Sequence, residues 1–237
     1  MAVGLPASYE VGILADMVQN LRSQLEGKFD VRITRAVFTA AHLVALYRDD
    51  LQDTAAHLGI EYLRPRGEFN ALVWETASAY AGHGLGLCNA WWNKTECWSE
   101  PMTEVLLFSV HYSEAALTVA LSFITDASSL WEPDYRHSEN FTLGREAMAS
   151  YDDVGLYWRD VRHQLLVIME KHPIFPKPEL VILTGDAIGN EFIEHLEAAL
   201  WGDMGRVPGI LQGEPTVVAA KGAAEFARRA PDLWWRD

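Results

Sequence analysis

Three groups of residues in this chain have the types that acid–base chemistry uses. His111, Tyr112, Ser113 and Glu114 form a polar link between two apolar runs at 105–110 and 115–122. An imidazole titrates near neutrality, so His111 beside a carboxylate or phenol can move a proton. A polar hairpin tip is also ordinary turn chemistry. Glu75 opens a helical pattern, where an acid also stabilises the helix dipole. Gly185 and Asp186 follow a strand pattern and precede a helix. Carboxyl ends of strands in open α/β sheets bind ligands, and Asp also caps helices well. His111, Glu75 and Asp186 are therefore the candidate catalytic residues. Tyr112, Ser113, Glu114 and Gly185 are candidates for holding a substrate. A fourth group, Trp131, Glu132, Asp134, Tyr135, Arg136, His137 and Glu139, reads as a pocket lining or as a solvated loop. It adds His137 and Trp131 to the substrate-binding candidates. His137 and Asp134 lack a third ligand at a diagnostic spacing, so no metal is expected.

Several chemistries are excluded by pattern. There is no Gly-x-Ser-x-Gly elbow, no Cys beside a nearby His, and no dinucleotide fingerprint. Gly82, Gly84 and Gly86 follow a helical pattern rather than a strand, so they fail the context that a phosphate turn needs. No cofactor is expected. The net charge of −14 makes nucleic acid and anionic membranes poor partners. No apolar run approaches the ~18 residues of a membrane span. Cys88 and Cys97 are too few for a disulfide framework or a zinc site. They are read as one loop bridge or as two free thiols in a reducing compartment, and the second is the expectation. Residues 1–12 show no basic segment leading into an apolar core, so the expected location is cytoplasmic.

The elements that must position these groups follow from periodicity. Ile13, Leu14, Met17, Val18, Leu21 and Leu25 recur at three-and-four spacing, which predicts a helix over 8–25 stopped by Gly27. A short strand is expected at 32–39, a helix over 42–58 ended by Gly59, and a strand at 60–63. Pro65-Arg66-Gly67 turns the chain into a helix over 70–80 capped by Asn70. Residues 88–103 form a polar connection rich in tryptophan. Beyond it, the runs at 105–110 and 115–122 predict a hairpin, with a third strand within 123–132 and a loop over 133–153. Helices are expected at 157–171, stopped by His172-Pro173, at 191–201 and at 215–230. Strands are expected at 180–184 and 207–211. Such alternation argues for an α/β protein with helices covering a mixed sheet.

Several segments resemble the actin and heat-shock chaperone ATPase superfamily, closest to its divergent fungal members. Residues 46–60 resemble the helix that leads into a Gly-hydrophobic strand. Residues 74–81 (WETASAYA) resemble the Glu-Pro-Thr-Ala-Ala-Ala connecting helix. Residues 181–187 (VILTGDA) resemble the adenosine-site strand and its turn, and residues 214–227 resemble the closing helix. The resemblance implies an actin-like ATPase (ribonuclease H-like) fold. It implies a partial first lobe at 1–87, a connection at 88–103, and a nearly complete second lobe at 104–237. It also places Glu75 facing the nucleotide cleft.

Departures from that pattern bear on function. No acidic residue beside a Gly-Thr turn occurs in residues 1–40. The second phosphate loop, Asp-x-Gly-Gly-Gly-Thr in the family, falls on Ser109 to Glu114, which has no glycine. Glycine lets backbone N–H groups approach phosphate oxygens closely. Gly185 keeps one glycine of the adenosine turn, and Asp186 replaces the second. The expectation is a nucleotide-independent pseudo-ATPase that acts by binding. A homo-oligomer is expected, using an uncovered sheet edge and the tryptophans Trp91, Trp92, Trp98, Trp234 and Trp235. The alternative is a repurposed, cofactor-free cyclase, isomerase or dehydratase acting on a small apolar metabolite, as in fungal secondary metabolism. Its proton transfer would use His111, Glu75 or Asp186.

Overall fold

The computed structural model describes residues 5–63, 73–127, 130–131, 137–170 and 176–229. In chain order the elements are α1 (Tyr9–Phe29), β1 (Arg35–Val37), α2 (Arg48–Leu58), β2 (Glu61–Leu63), α3 (Glu75–Gly82) and α4 (Lys94–Ser99). They continue with β3 (Val105–Tyr112), β4 (Leu117–Ile124), β5 (Leu130–Trp131), β6 (His137–Asn140), α5 (Val154–Glu170), β7 (Leu180–Thr184), α6 (Asn190–Met204), β8 (Gly209–Leu211) and α7 (Val218–Arg229). The chain is a mixed α/β protein. No described helix is long and apolar enough to cross a membrane.

The main sheet runs β5-β4-β3-β7-β8, with β6 also pairing β4. β3 and β4 form an antiparallel hairpin, β4 pairs antiparallel with β5 and β6, and β7 and β8 are parallel to β3. Strand side chains alternate between faces, and that alternation sorts the core into two layers. Leu106, Phe108, Val110 and Tyr112 of β3 pack with Tyr157, Val161 and Leu165 of α5 and Phe192 and Leu196 of α6. Leu107 of β3, Ile124 of β4 and Ile182 of β7 point the other way, onto Ala79 and Tyr80 of α3 and Val218 and Phe226 of α7. Fully burying one such aliphatic or aromatic side chain stabilises by ~1.5–3 kcal/mol.

Helices α3 and α7 lie against each other at close range. A Cβ at Gly222 would sit 1.7 Å from the Ser78 carbonyl oxygen, so only glycine permits the approach. The small residues of 214–227 therefore serve helix-to-helix contact as well as contact with the sheet. A separate two-stranded parallel sheet joins β1 and β2, with Arg35 opposite Glu61.

The observed elements differ from the sequence expectations in specific ways. Helix α1 begins on the Ser8 cap, whose hydroxyl accepts from the Val11 N–H, and runs through Gly27 to end at Asp30 in the left-handed region. Glycine inside a helix is tolerated at ~1 kcal/mol. The helix expected over 42–58 starts only at Arg48. Residues 40–44 are held by tertiary contacts instead. Ala40 bridges Trp74, His42 stacks on the Trp74 ring, and the Val44 N–H donates to Glu139. The hairpin turn is Ser113 to Ala116, because His111 and Tyr112 continue β3 to its end. Residues 137–150, expected as loop, contain β6 and a 3-10 turn at Arg145–Ser150. The closing helix starts at Val218 rather than 215. Pro65-Arg66-Gly67, Asn70, His172-Pro173 and Trp234-Trp235 lie outside the described residues, as do residues 132–136 of the polar cluster.

The two cysteines are bridged, Cys88 to Cys97, which corrects the expectation of free thiols. Glu100 explains why they meet. Its carboxylate accepts from the backbone N–H groups of Asn89 and Ala90 and pulls the base of the loop together. Arg229 of α7 donates to the Cys88 carbonyl, and Arg228 lies over the Trp91 ring. The loop is thus tied to the end of α7. Trp92 on the same loop is exposed.

Candidate functional site

Alternation along β3 puts Ser109 and His111 on the α3 side of the sheet, two and four positions beyond the buried Leu107. β7 lies parallel in register, with Thr184 opposite His111. Helix α3 presents its first turn, Glu75 and Thr76, to the same place. Polar side chains from three elements thereby converge at the carboxyl ends of two parallel strands. Leu107 and Ile182 fill the same face two residues before Ser109 and Thr184.

The centre is a pair. His111 Nδ1 lies 2.9 Å from one Glu75 carboxylate oxygen and 3.2 Å from the other, and 3.2 Å from Thr184 Oγ1. Burial alone disfavours the imidazolium and would lower the His111 pKa. The Glu75 hydrogen bond, the Glu75 charge and the Asp186 charge outweigh it, and the pKa is raised above the ordinary imidazole value. Among the described residues Nε2 of His111 has no hydrogen-bond partner, and part of the ring reaches solvent. The geometry suits a histidine whose Nδ1 is fixed by a carboxylate while Nε2 exchanges a proton.

Behind the pair runs a buried chain of hydroxyls. His42 Nε2 lies 2.8 Å from Thr76 Oγ1, and Thr76 donates to Ser109 Oγ at 2.7 Å. Ser109 in turn donates to the Ala120 carbonyl at 3.5 Å. Between this chain and the His111 pair lies a cavity of about 10 Å³, lined by these residues with Thr118, Val119 and Thr184. That is room for about one water molecule.

The hairpin turn sits at the edge of the site and closes on itself. Ser113 N–H donates to the Ala116 carbonyl, and Ala116 N–H donates to Ser113 Oγ. Glu114 N–H donates to the Asp186 carboxylate at 3.1 Å. Asp186 is placed there by Gly185, whose φ is +109°. A Cβ at Gly185 would sit 2.1 Å from the Tyr112 carbonyl oxygen, so only glycine lets this turn pass β3. Asp186 does not cap α6; the cap position is Gly189.

The structure brings together His111, Glu75 and Asp186 of the expected catalytic set, with Gly185, Ser113 and Glu114 at the rim. Tyr112 is not part of the site. As the neighbour of His111 on a strand it points to the opposite face, where it is fully buried, stacks on Phe192, and shares a hydrogen bond with the Tyr157 hydroxyl. His137 stands on β6 opposite Ala120, with its ring 6.4 Å from that of His42. Trp131 lies on β5, and its side chain is outside the described residues. Sequence reasoning missed Thr76, Thr184 and His42. Thr184 was findable from its place at the last position of a strand parallel to β3. The reach of His42 to Thr76 leaves no local signal. Among the described residues no three His, Cys, Asp or Glu side chains gather as a metal-binding group.

No protein-family model matches this chain, and no curated protein matches it.

Proposed function

We propose that this protein is a nucleotide-independent pseudo-ATPase of the actin and heat-shock chaperone fold, acting by binding. The order of residues 104–237 supports the ribonuclease H-like part of that reading. An antiparallel hairpin with further antiparallel pairing on its outer strand is followed by two parallel strands reached through helices α5 and α6. The observation that carries the loss of nucleotide chemistry is the Asp186 carboxylate on the Glu114 N–H. The resemblance places a phosphate-binding hairpin at this point. Such a hairpin needs free backbone N–H groups. Here the N–H groups of Ser113, Glu114 and Ala116 are all engaged within the protein. Asp186 adds a negative charge where a phosphate would bring its own.

Isothermal titration with Mg-ATP and with Mg-ADP tests the reading. No binding heat is expected up to millimolar nucleotide. A micromolar dissociation constant for either would overturn it.

A second reading, a cofactor-free isomerase, cyclase or lyase, is favoured by one feature, the His111–Glu75 pair with Nε2 open. The enclosed space of about 10 Å³ counts against it. Small-molecule sites commonly enclose ~300 Å³ or more. A metabolite converted by the wild type and left unchanged by His111→Gln would establish it.

A further inference from the structure

We propose that helix α1 is a self-recognition surface on which a second copy of this chain docks antiparallel. The proposal deepens the binding-module reading by naming a partner. Helix α1 is amphipathic, and only part of its apolar surface meets the rest of the protein. Val11 and Ala15 are buried, and Arg22 donates to the Leu58 carbonyl at the end of α2. The larger apolar residues face outward. Ile13 is 53% exposed, Met17 53%, Leu21 54% and Leu25 44%. Tyr9 and Phe29 at the two ends are exposed as well. Ile13, Met17, Leu21 and Leu25 share one side of the helix and leave roughly 400 Å² per protomer in water, half of the ~800 Å² that each partner gives to a standard interface and the scale of a weak, reversible contact. Tyr9 and Phe29 lie ~100° to either side of that stripe. That is the size of the largest apolar patch on a typical monomer, ~300–600 Å², which is often functional.

Charge selects the partner and its direction. Residues step ~100° around a helix, so Glu10 and Lys28 lie five full turns apart at one azimuth. Met17 and Leu21 lie within ~20° of that line, one on each side. Ile13 and Leu25 flank it symmetrically about the midpoint at Gln19. The exposed stripe thus carries an acid at its first turn and a base at its last. Antiparallel docking of two copies sets Glu10 of each against the Lys28 end of the other and packs Met17 near the other copy's Leu21. It also opposes the two helix dipoles. Parallel docking would set like charges together.

Light scattering and sedimentation of the full chain at up to about 500 micromolar, the range a weak contact of this size needs, test this. The expected wild-type result is a dimer. Met17→Glu with Leu21→Glu is expected to give a monomer with unchanged helix content by circular dichroism, because both side chains face water in the single chain. Glu10→Lys alone should weaken the dimer several-fold, and Glu10→Lys with Lys28→Glu should restore it. A monomeric wild type would overturn the proposal and leave the stripe to a different partner. A dimer that survives the double glutamate variant, or one that the charge exchange does not restore, would also overturn it. The nucleotide titration is a separate measurement, so the two readings fail separately.

Discussion

His111 Nδ1 and the Glu75 carboxylate, 2.9 Å apart, join the end of β3 to the start of α3. The pair is the contact through which the α3 helix addresses the sheet with charge rather than with apolar surface. Its partners come from positions 36 residues apart in the chain.

The first prediction concerns pH. The folded His111 pKa lies above the ordinary value of 6.5. The native state therefore holds this proton more tightly than the unfolded chain. Its contribution to stability is fully present below ~6.5 and is lost as pH rises through the folded pKa. Glu75→Gln is expected to lower the His111 pKa in an NMR titration and to cost about 1 kcal/mol near pH 6, less near pH 9. A stability gap in urea that widened toward alkaline pH would refute the assignment.

Asp186 offers a second test. Asp186→Ala removes the acceptor from the Glu114 N–H and one of the two negative charges that face His111. The expected loss is about 1 kcal/mol by urea unfolding, with a fall in the His111 pKa. An unchanged imidazole titration would show that Asp186 does not reach the site electrostatically.

Two glycine-to-alanine changes separate packing from propensity. Gly222→Ala drives a methyl group into the Ser78 carbonyl and is expected to cost about 3 kcal/mol or more. Gly202→Ala, inside α6 with open space around its Cα, is expected to stabilise by up to ~1 kcal/mol. Thermal melts of both variants decide this, and an equal effect of the two would contradict the close approach of α3 and α7.

The disulfide makes a prediction about thiols. Unfolded, unreduced protein is expected to show no thiol reactive with Ellman's reagent, and the reduced protein two. The bridge closes a short loop, so reduction is expected to cost about 2–3 kcal/mol by the chain-entropy account. Two titratable thiols in protein purified without reductant would contradict the bridge. The bridge is of the kind that persists in an oxidising environment.

Much of the fold was legible because it is written in rotation per residue. The run LVILT gave β7 at its observed bounds, and three-and-four spacing gave α1, α5 and α6 within a few residues. The β3–β4 hairpin was legible, but its turn was not. His111 and Tyr112 look like turn residues by polarity, yet both pair with β4. Strand alternation then sends one to the site and the other to the core. The sequence by itself therefore determined the α/β class, the main elements and the absence of a glycine-rich turn at 109–114. Tertiary structure alone decided that Asp186 would fill the Glu114 N–H, that His42 would reach Thr76, that Cys88 would meet Cys97, and that the apolar stripe of α1 would face water. Local patterns report how a segment turns and which side is apolar. They carry no term for the distant segment that meets that side, because those contacts form only when the chain path closes.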